Sequence, residues 1–304
     1  MLQAQTGDLF KVRLDQLIPT QPAIGYDQVY YKLGLYRADP ESKFDDYCED
    51  NGQRGVKRYD AQRSRLDTPA SFSCKQAEPR AGDAAANDLK TVVIGPAGKI
   101  YLTDGHHTTS ILRALADGGP AMTLLVRVTD NFSQLTLADF WARMAAENKV
   151  WLKDQDLKNI QPSQLPLQIG LDYLQNDPYR SLVYFTRGIG YQPPAGATEF
   201  LEFYWGSWLR SSALPDLSHY DLNDVQAYAT AVDDAAHKMV ALRNDEEVWN
   251  GKTAESLGKL ARFDQKKNFK KLTRAGSANK ASGKLVYAVE YKRSLQKGCT
   301  ANCR

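Results

Sequence analysis

Apolar residues recur with strand or helix spacing in several segments of the chain, and these segments predict its elements. Residues 8–17 alternate, with Phe10, Val12 and Leu14 on one face, which predicts a half-buried strand. Strands are predicted at residues 91–94, 99–103 and 122–128, and helices after Asp104 and after Thr136. The order strand, strand, helix, strand, helix predicts a mixed α/β core.

The segments on either side of this core have different patterns. Residues 37–88 are polar with few apolar positions, which predicts a long insertion. Beyond residue 151 the spacing predicts helices at residues 171–175, 179–187, 200–210, 222–243 and 253–263. We therefore expect an α/β (α+β) domain over residues 8–150 and a mainly helical region over residues 151–304. The aromatic stripe around Trp205 and Trp208 is typical of a core.

Composition places the chain among globular proteins, and charge singles out its last 46 residues. The chain has 304 residues, of which 42% are hydrophobic and 25% charged, so wholesale disorder is excluded. No apolar run approaches the roughly 18 residues of a membrane helix. Residues 259–304 contain 13 Lys or Arg but only two acidic residues. Five of these basic residues are predicted to contact nucleic acid: Lys266, Lys267, Lys270, Lys271 and Arg274. The alternative is a solvated basic tail.

The four cysteines are Cys48, Cys74, Cys299 and Cys303, and their spacing matches no zinc site. Polar sequence around Cys48 and Cys74 favours disulfides in an oxidising compartment. The simplest of three pairings joins Cys48 to Cys74 and Cys299 to Cys303, with four free thiols as the alternative. We therefore expect an insertion tied by a disulfide in a periplasmic or secreted protein, with a cytoplasmic protein as the alternative. The first ten residues lack the features of a signal peptide.

Candidate chemistry lies where the strand at residues 99–103 meets the next helix. Asp104, Gly105, His106 and His107 are followed by the hydroxyls of Thr108 and Thr109. A glycine lets an anion approach the backbone, and the first amides of a helix have no intrahelical partners. We predict phosphate binding at residues 105–109, with His106, His107 and Asp104 as candidate catalytic residues. The alternative is a helix cap with surface histidines.

Other common sites are absent from the sequence. Adjacent histidines point about 100° apart on a helix, so the pair does not favour one bound metal ion. The P-loop, the dinucleotide-binding GxGxxG and the hydrolase GxSxG are not present. We predict no metal held by the protein alone, and Mg²⁺ as an ion that a nucleotide or nucleic acid substrate brings with it.

The sequence Asp104-Gly105-His106-His107 after a strand, with Leu17-Ile18-Pro19-Thr20-Gln21 upstream, resembles the ParB/sulfiredoxin superfamily. The resemblance covers residues 8–150 and is closest to the putative ParB-like nucleases, which carry a DGHH motif. It implies a ParB/sulfiredoxin-like sheet and a turn that binds nucleotide phosphates. Relatives hydrolyse CTP and bind DNA, use ATP, or phosphorylate free serine.

Departures from the family pattern limit what the resemblance implies. Thr108 stands where relatives have an arginine, and the sulfiredoxin cysteine is missing, which excludes that reaction. Residues 17–25 lack the carboxylate base of the kinases, and the nearest candidate base is Asp27. Three functions therefore stay open: a ParB-like nuclease or phosphodiesterase, a nucleotide-dependent phosphotransferase of the free serine kinase type, and a non-catalytic nucleotide- or anion-binding module.

Overall fold

The computed structural model describes residues 1–214, 216–264, 268–277 and 280–302, with only the backbone for 212, 213 and 298–302. The strands are β1 Leu9–Arg13, β2 Leu17–Pro19, β3 Ala23–Ile24, β4 Val56–Arg58, β5 Ser73–Cys74, β6 Lys90–Ile94, β7 Ile100–Leu102, β8 Thr123–Asn131, β9 Gln175–Asn176, β10 Glu247–Trp249 and β11 Lys252–Thr253. The helices are α1 Tyr26–Ala38, α2 Pro40–Asp50, α3 His106–Ala114, α4 Leu137–Ala146, α5 Pro178–Thr186, α6 Leu201–Trp208, α7 Val225–Ala241, α8 Lys270–Leu272 and α9 Lys284–Asn302.

The predicted mixed α/β class is confirmed. Contacts divide the chain into a first unit of residues 1–23 and 36–175 and a second unit of residues 24–35 and 176–304. The predicted domain boundary at residue 150 stays a prediction. Among the described residues, no helix has both the length and the apolar character that crossing a membrane requires.

A five-stranded sheet with the order β1-β8-β6-β7-β2 organises the first unit. β6 and β7, both predicted as strands, form an antiparallel hairpin, while β2 runs parallel to β7 and β8 parallel to β6. Helix α4 packs on this sheet through Phe140 and Met144, and the rings of Tyr101 and Phe140 have centroids 4.6 Å apart. Thr136 caps α4 as predicted, because its hydroxyl accepts a hydrogen bond from the Asp139 amide.

The predicted insertion contains more regular structure than its polar sequence indicated. Helix α2 begins with Pro40 at its first position and buries Phe44 and Cys48. The Cys48–Cys74 disulfide is confirmed, with Cα atoms 5.6 Å apart. Cys48 is nevertheless fully buried in a helix rather than exposed in a loop, so the surroundings expected for it were wrong. Cys303 and the side chain of Cys299 lie outside the described structure.

Helices build most of the second unit. Trp205 on α6 is fully buried and its indole N–H donates to the Leu257 carbonyl, so its predicted place in the core is confirmed. The helix predicted at residues 253–263 is wrong. There β11 is followed by a turn in which Gly258 has a φ of +74°, a left-handed conformation that favours glycine.

The helix predicted at residues 171–175, in the first unit, is also wrong. A single turn there, closed by the Leu174 amide on the Gly170 carbonyl, leads directly into β9. The aromatic segment at residues 29–36, whose pattern fits a helix or a strand, is part of α1.

Candidate phosphate-binding turn

A left-handed glycine joins β7 to α3. Gly105 has φ 102° and ψ 14° and precedes the first helical residue, His106. A Cβ at Gly105 would lie 2.7 Å from Cγ and 2.8 Å from Cδ of Lys90. Backbone conformation and space both favour glycine here, and the aliphatic stem of Lys90 lies directly against the turn.

The register of the hairpin places Lys90 at the turn. The Thr103 amide donates to the Thr91 carbonyl, and the hydroxyls of these two residues are 2.8 Å apart. Lys90 precedes Thr91 on β6, and its side chain lies against Gly105. Lys90 thus supplies a cation near the turn, whereas Thr108, the residue where relatives have an arginine, supplies none.

Lys90 is held in its charged form by neighbouring carboxylates. Its Nζ is 3.2 Å from the carboxylate of Asp50 on α2, and both side chains are about one-fifth exposed. Burial lowers the pKa of Lys90, but Asp50 and Asp104 outweigh it, so the pKa lies above its ordinary value. The turn therefore has a permanently charged ammonium group beside it. The pairing of Thr91 with Thr103 in the hairpin is what brings Lys90 to this turn.

The buried His106 joins the two segments that carry the family resemblance. Its Nε2 accepts a hydrogen bond of 3.1 Å from the amide of Thr20, at the end of β2. The Thr20 hydroxyl donates to the carbonyl of Leu102 at 2.8 Å. Because Nε2 is the acceptor, the hydrogen-bond pattern assigns the imidazole proton to Nδ1. His106 thus fixes the start of α3 against β2.

The predicted site residues differ in their access to solvent. His106 and Thr109 are buried, and the Thr109 hydroxyl donates to the Gly105 carbonyl at 2.9 Å, so the helix itself uses that donor. The residues that reach the surface are Asp104, Gly105, His107 and Thr108. Exposure thus leaves His107 as the histidine that a ligand at the turn can reach.

Backbone geometry favours an anion at this turn. The helical hydrogen bonds of α3 begin with the Thr109 amide, which donates to the Gly105 carbonyl. The amides of residues 106–108 therefore belong to the first turn of the helix, where amides have no intrahelical acceptor. The positive end of the helix dipole lies at the same place. The amides and the dipole favour an anion at the turn, and the ammonium of Lys90 offsets part of the negative charge of Asp104 and Asp50.

Among the described residues, no three or more His, Cys, Asp or Glu side chains are grouped so that they could hold a metal ion. Mg²⁺ bound to substrate phosphates needs only one or two carboxylates from a protein. At the turn, the exposed Asp104 is the carboxylate that fits such an ion.

Asp27, the candidate base of a phosphotransferase, lies on α1 in the second unit. It is buried, accepts a 3.0 Å hydrogen bond from the hydroxyl of Tyr228, and lies 3.4 Å from Nζ of Lys292. Burial raises the pKa of Asp27 even though Lys292 and Tyr228 act to lower it. Its role as a base stays a prediction.

The basic residues predicted to contact nucleic acid have different surroundings. Lys270 and Lys271 are exposed on α8, whereas the Arg274 guanidinium donates to the Ala281 carbonyl through Nη2 at 2.8 Å and Nε at 3.0 Å. Lys266 and Lys267 lie outside the described residues.

Comparison with known proteins adds family information. The family described as "Putative ParB-like nuclease" matches residues 10–211. No curated protein matches the sequence. A crystal structure of protein Atu1540 from Agrobacterium tumefaciens is similar, with 25% identity, a TM-score of 0.49, and coverage of 75% of this chain and 90% of that chain.

Proposed function

Because the chain belongs to the family of putative ParB-like nucleases, we propose that it binds a phosphodiester at the turn of residues 104–107 and hydrolyses it. The observation that carries this proposal is the ammonium of Lys90, held by Asp50 beside the glycine turn where α3 begins. A cation, helix amides and an accessible imidazole are the groups that phosphoryl chemistry needs in one place.

Each group at the turn has a separate role in this proposal. The amides of the first helical turn and Lys90 bind the phosphate oxygens and stabilise the charge that grows on them in the transition state. His107 is the acid/base, because it is the histidine that solvent reaches. His106 is a positioning residue, because its Nε2 is engaged by Thr20.

Hydrolysis assays on DNA, RNA, nucleotides and bis(p-nitrophenyl) phosphate, with and without Mg²⁺, test the proposal. His107→Ala is expected to lower the rate by about 10²- to 10⁴-fold, as for loss of an acid/base group. Lys90→Met is expected to weaken substrate binding by about tenfold or more, as for loss of a charge-assisted hydrogen bond. Lys99→Met is the matched control, since Lys99 is an exposed lysine between the same two strands.

The outcomes separate the three functions. Phosphate binding that Lys90→Met weakens, without turnover of any substrate, identifies a non-catalytic module. Transfer of a nucleotide phosphate to free serine identifies the kinase-like alternative. If Lys90→Met and Lys99→Met have equal effects and His107→Ala has none, the turn is not the site and the proposal is overturned.

We also propose that the protein works in an oxidising compartment. The Cys48–Cys74 disulfide supports this, since such bonds persist mainly outside the cytosol. Alkylation of intact cells before lysis tests it: Cys48 and Cys74 should be protected in the protein extracted from its host. Alkylation of both cysteines would contradict the proposal.

A further inference from the structure

A second concentration of positive charge lies in the second unit and includes residues from α5, α8 and α9. A cavity of about 130 Å³ is lined by the cationic side chains of Arg187, Lys271 and Lys284, with Asn268 and Tyr184 among the other lining residues. None of these residues belongs to the turn described above.

Two tyrosine rings gather the cations around this cavity. Nζ of Lys284 lies 4.9 Å from the ring centroid of Tyr184 and 5.6 Å from that of Tyr31. The guanidinium of Arg187 lies over the same Tyr184 ring at 5.8 Å, and Nζ of Lys32 lies over Tyr31 at 5.6 Å. The electron-rich ring faces attract each cation and so bring like charges close together.

Protein carboxylates balance only part of this charge. Arg187 pairs with Glu202, but among the described residues no carboxylate lies within ion-pairing distance of Lys271 or Lys284. Burial, together with the charges of Lys32 and Arg187, lowers the pKa of Lys284. An anion in the cavity would relieve the repulsion among these cations.

We propose that this cavity binds a single phosphoryl group, supplied by free phosphate or by a phosphate of an oligonucleotide backbone. Its volume of about 130 Å³ is sufficient for one phosphoryl group. Arg187 and the two lysines offer the charged donors that phosphate oxygens prefer. The proposal does not depend on chemistry at the turn.

Calorimetric titration with inorganic phosphate tests the cavity in a Lys90→Met background, where binding at the turn is already weakened. Millimolar or tighter binding is expected to remain, and Lys284→Met or Lys271→Met should weaken it by about tenfold or more. Lys238→Met is the control, because Lys238 is an exposed lysine on α7 of the same unit that does not line the cavity. Lys284→Arg should retain binding because it keeps the charge.

A nuclease-resistant phosphorothioate oligothymidylate, titrated into the same variants, distinguishes the two sources. If Lys271→Met weakens the binding of both ligands, the cavity is an oligonucleotide site. If it weakens the binding of phosphate alone, the cavity is a site for the free ion. Equal losses from Lys238→Met and Lys271→Met, or no phosphate binding at millimolar concentration, overturn the proposal. Failure at the turn appears instead as unchanged hydrolysis in His107→Ala, so the two proposals fail independently.

Discussion

Replacing His106 by leucine separates positioning from catalysis at the turn. Leucine fills most of the space of the imidazole but has no acceptor, so the Thr20 amide loses the partner that lies 3.1 Å away. Thr20 is fully buried, and an unsatisfied buried donor costs about 1–3 kcal/mol. The free energy of unfolding should fall by that amount, with a decrease in Tm of roughly 2–4 °C per kcal/mol.

Two matched variants complete this test. His106→Gln supplies an amide oxygen that can accept from Thr20, so it should recover much of the lost stability. His107→Leu, at a partly exposed position, should change the free energy of unfolding by no more than about 0.5 kcal/mol while lowering the hydrolysis rate by about 10²- to 10⁴-fold. Urea unfolding followed by circular dichroism and the hydrolysis assay give the two readouts. A His106→Leu protein of wild-type stability that has lost its activity would refute the positioning role.

Three further predictions concern other parts of the molecule. Reduction of the Cys48–Cys74 bond, which spans 26 residues, should destabilise the first unit by on the order of 3 kcal/mol, measured by urea unfolding with and without reductant. Because burial raises the pKa of Asp27, its contribution to stability is present below the unfolded pKa and is lost as pH rises through the folded pKa. Asp27→Asn should therefore flatten the stability–pH curve of the second unit above about pH 4, and an unchanged curve would contradict this reasoning. Gly105→Ala should cost at least about 1–2 kcal/mol for the left-handed backbone and should also weaken phosphate binding by displacing Lys90, whereas an alanine variant as stable as wild type would show that the turn relaxes.

The sheet and its helices were predictable where the apolar pattern is dense. The alternation in β6, β7 and β8 and the helical spacing in α4 reflect burial on one face, which is a local property of the sequence. Helix α2 was not predicted, because its buried side chains are few and widely spaced within an acidic segment. The segment at residues 171–175 has helical spacing but only five residues, too few to sustain a helix after the left-handed Gly170. The segment at residues 253–263 is long enough, but the left-handed Gly258 in its middle interrupts the helical conformation.

The turn was located from its sequence, but the different surroundings of its two histidines were not. Burial of His106 depends on Thr20, which lies 86 residues away in the chain. Lys90 was missed because a cation was expected only at the residue after His107. The sequence predicted the two strands but not their register, and it is the pairing of Thr91 with Thr103 that brings Lys90 to the turn.

Helix α1 has a consequence for how the chain folds during synthesis. Residues 24–35 belong to the second unit, but residues 36–175 of the first unit are made before the rest of the second begins to emerge. At roughly 5–20 residues per second this takes about 7–28 s. Throughout that interval α1 lacks α7 and α9, so a nascent chain would expose the apolar side chains of Val29 and Leu33, which a chaperone could bind. The first unit can complete its sheet while synthesis continues, whereas the second unit can pack α1 against α9 only after α9 has emerged from the ribosome.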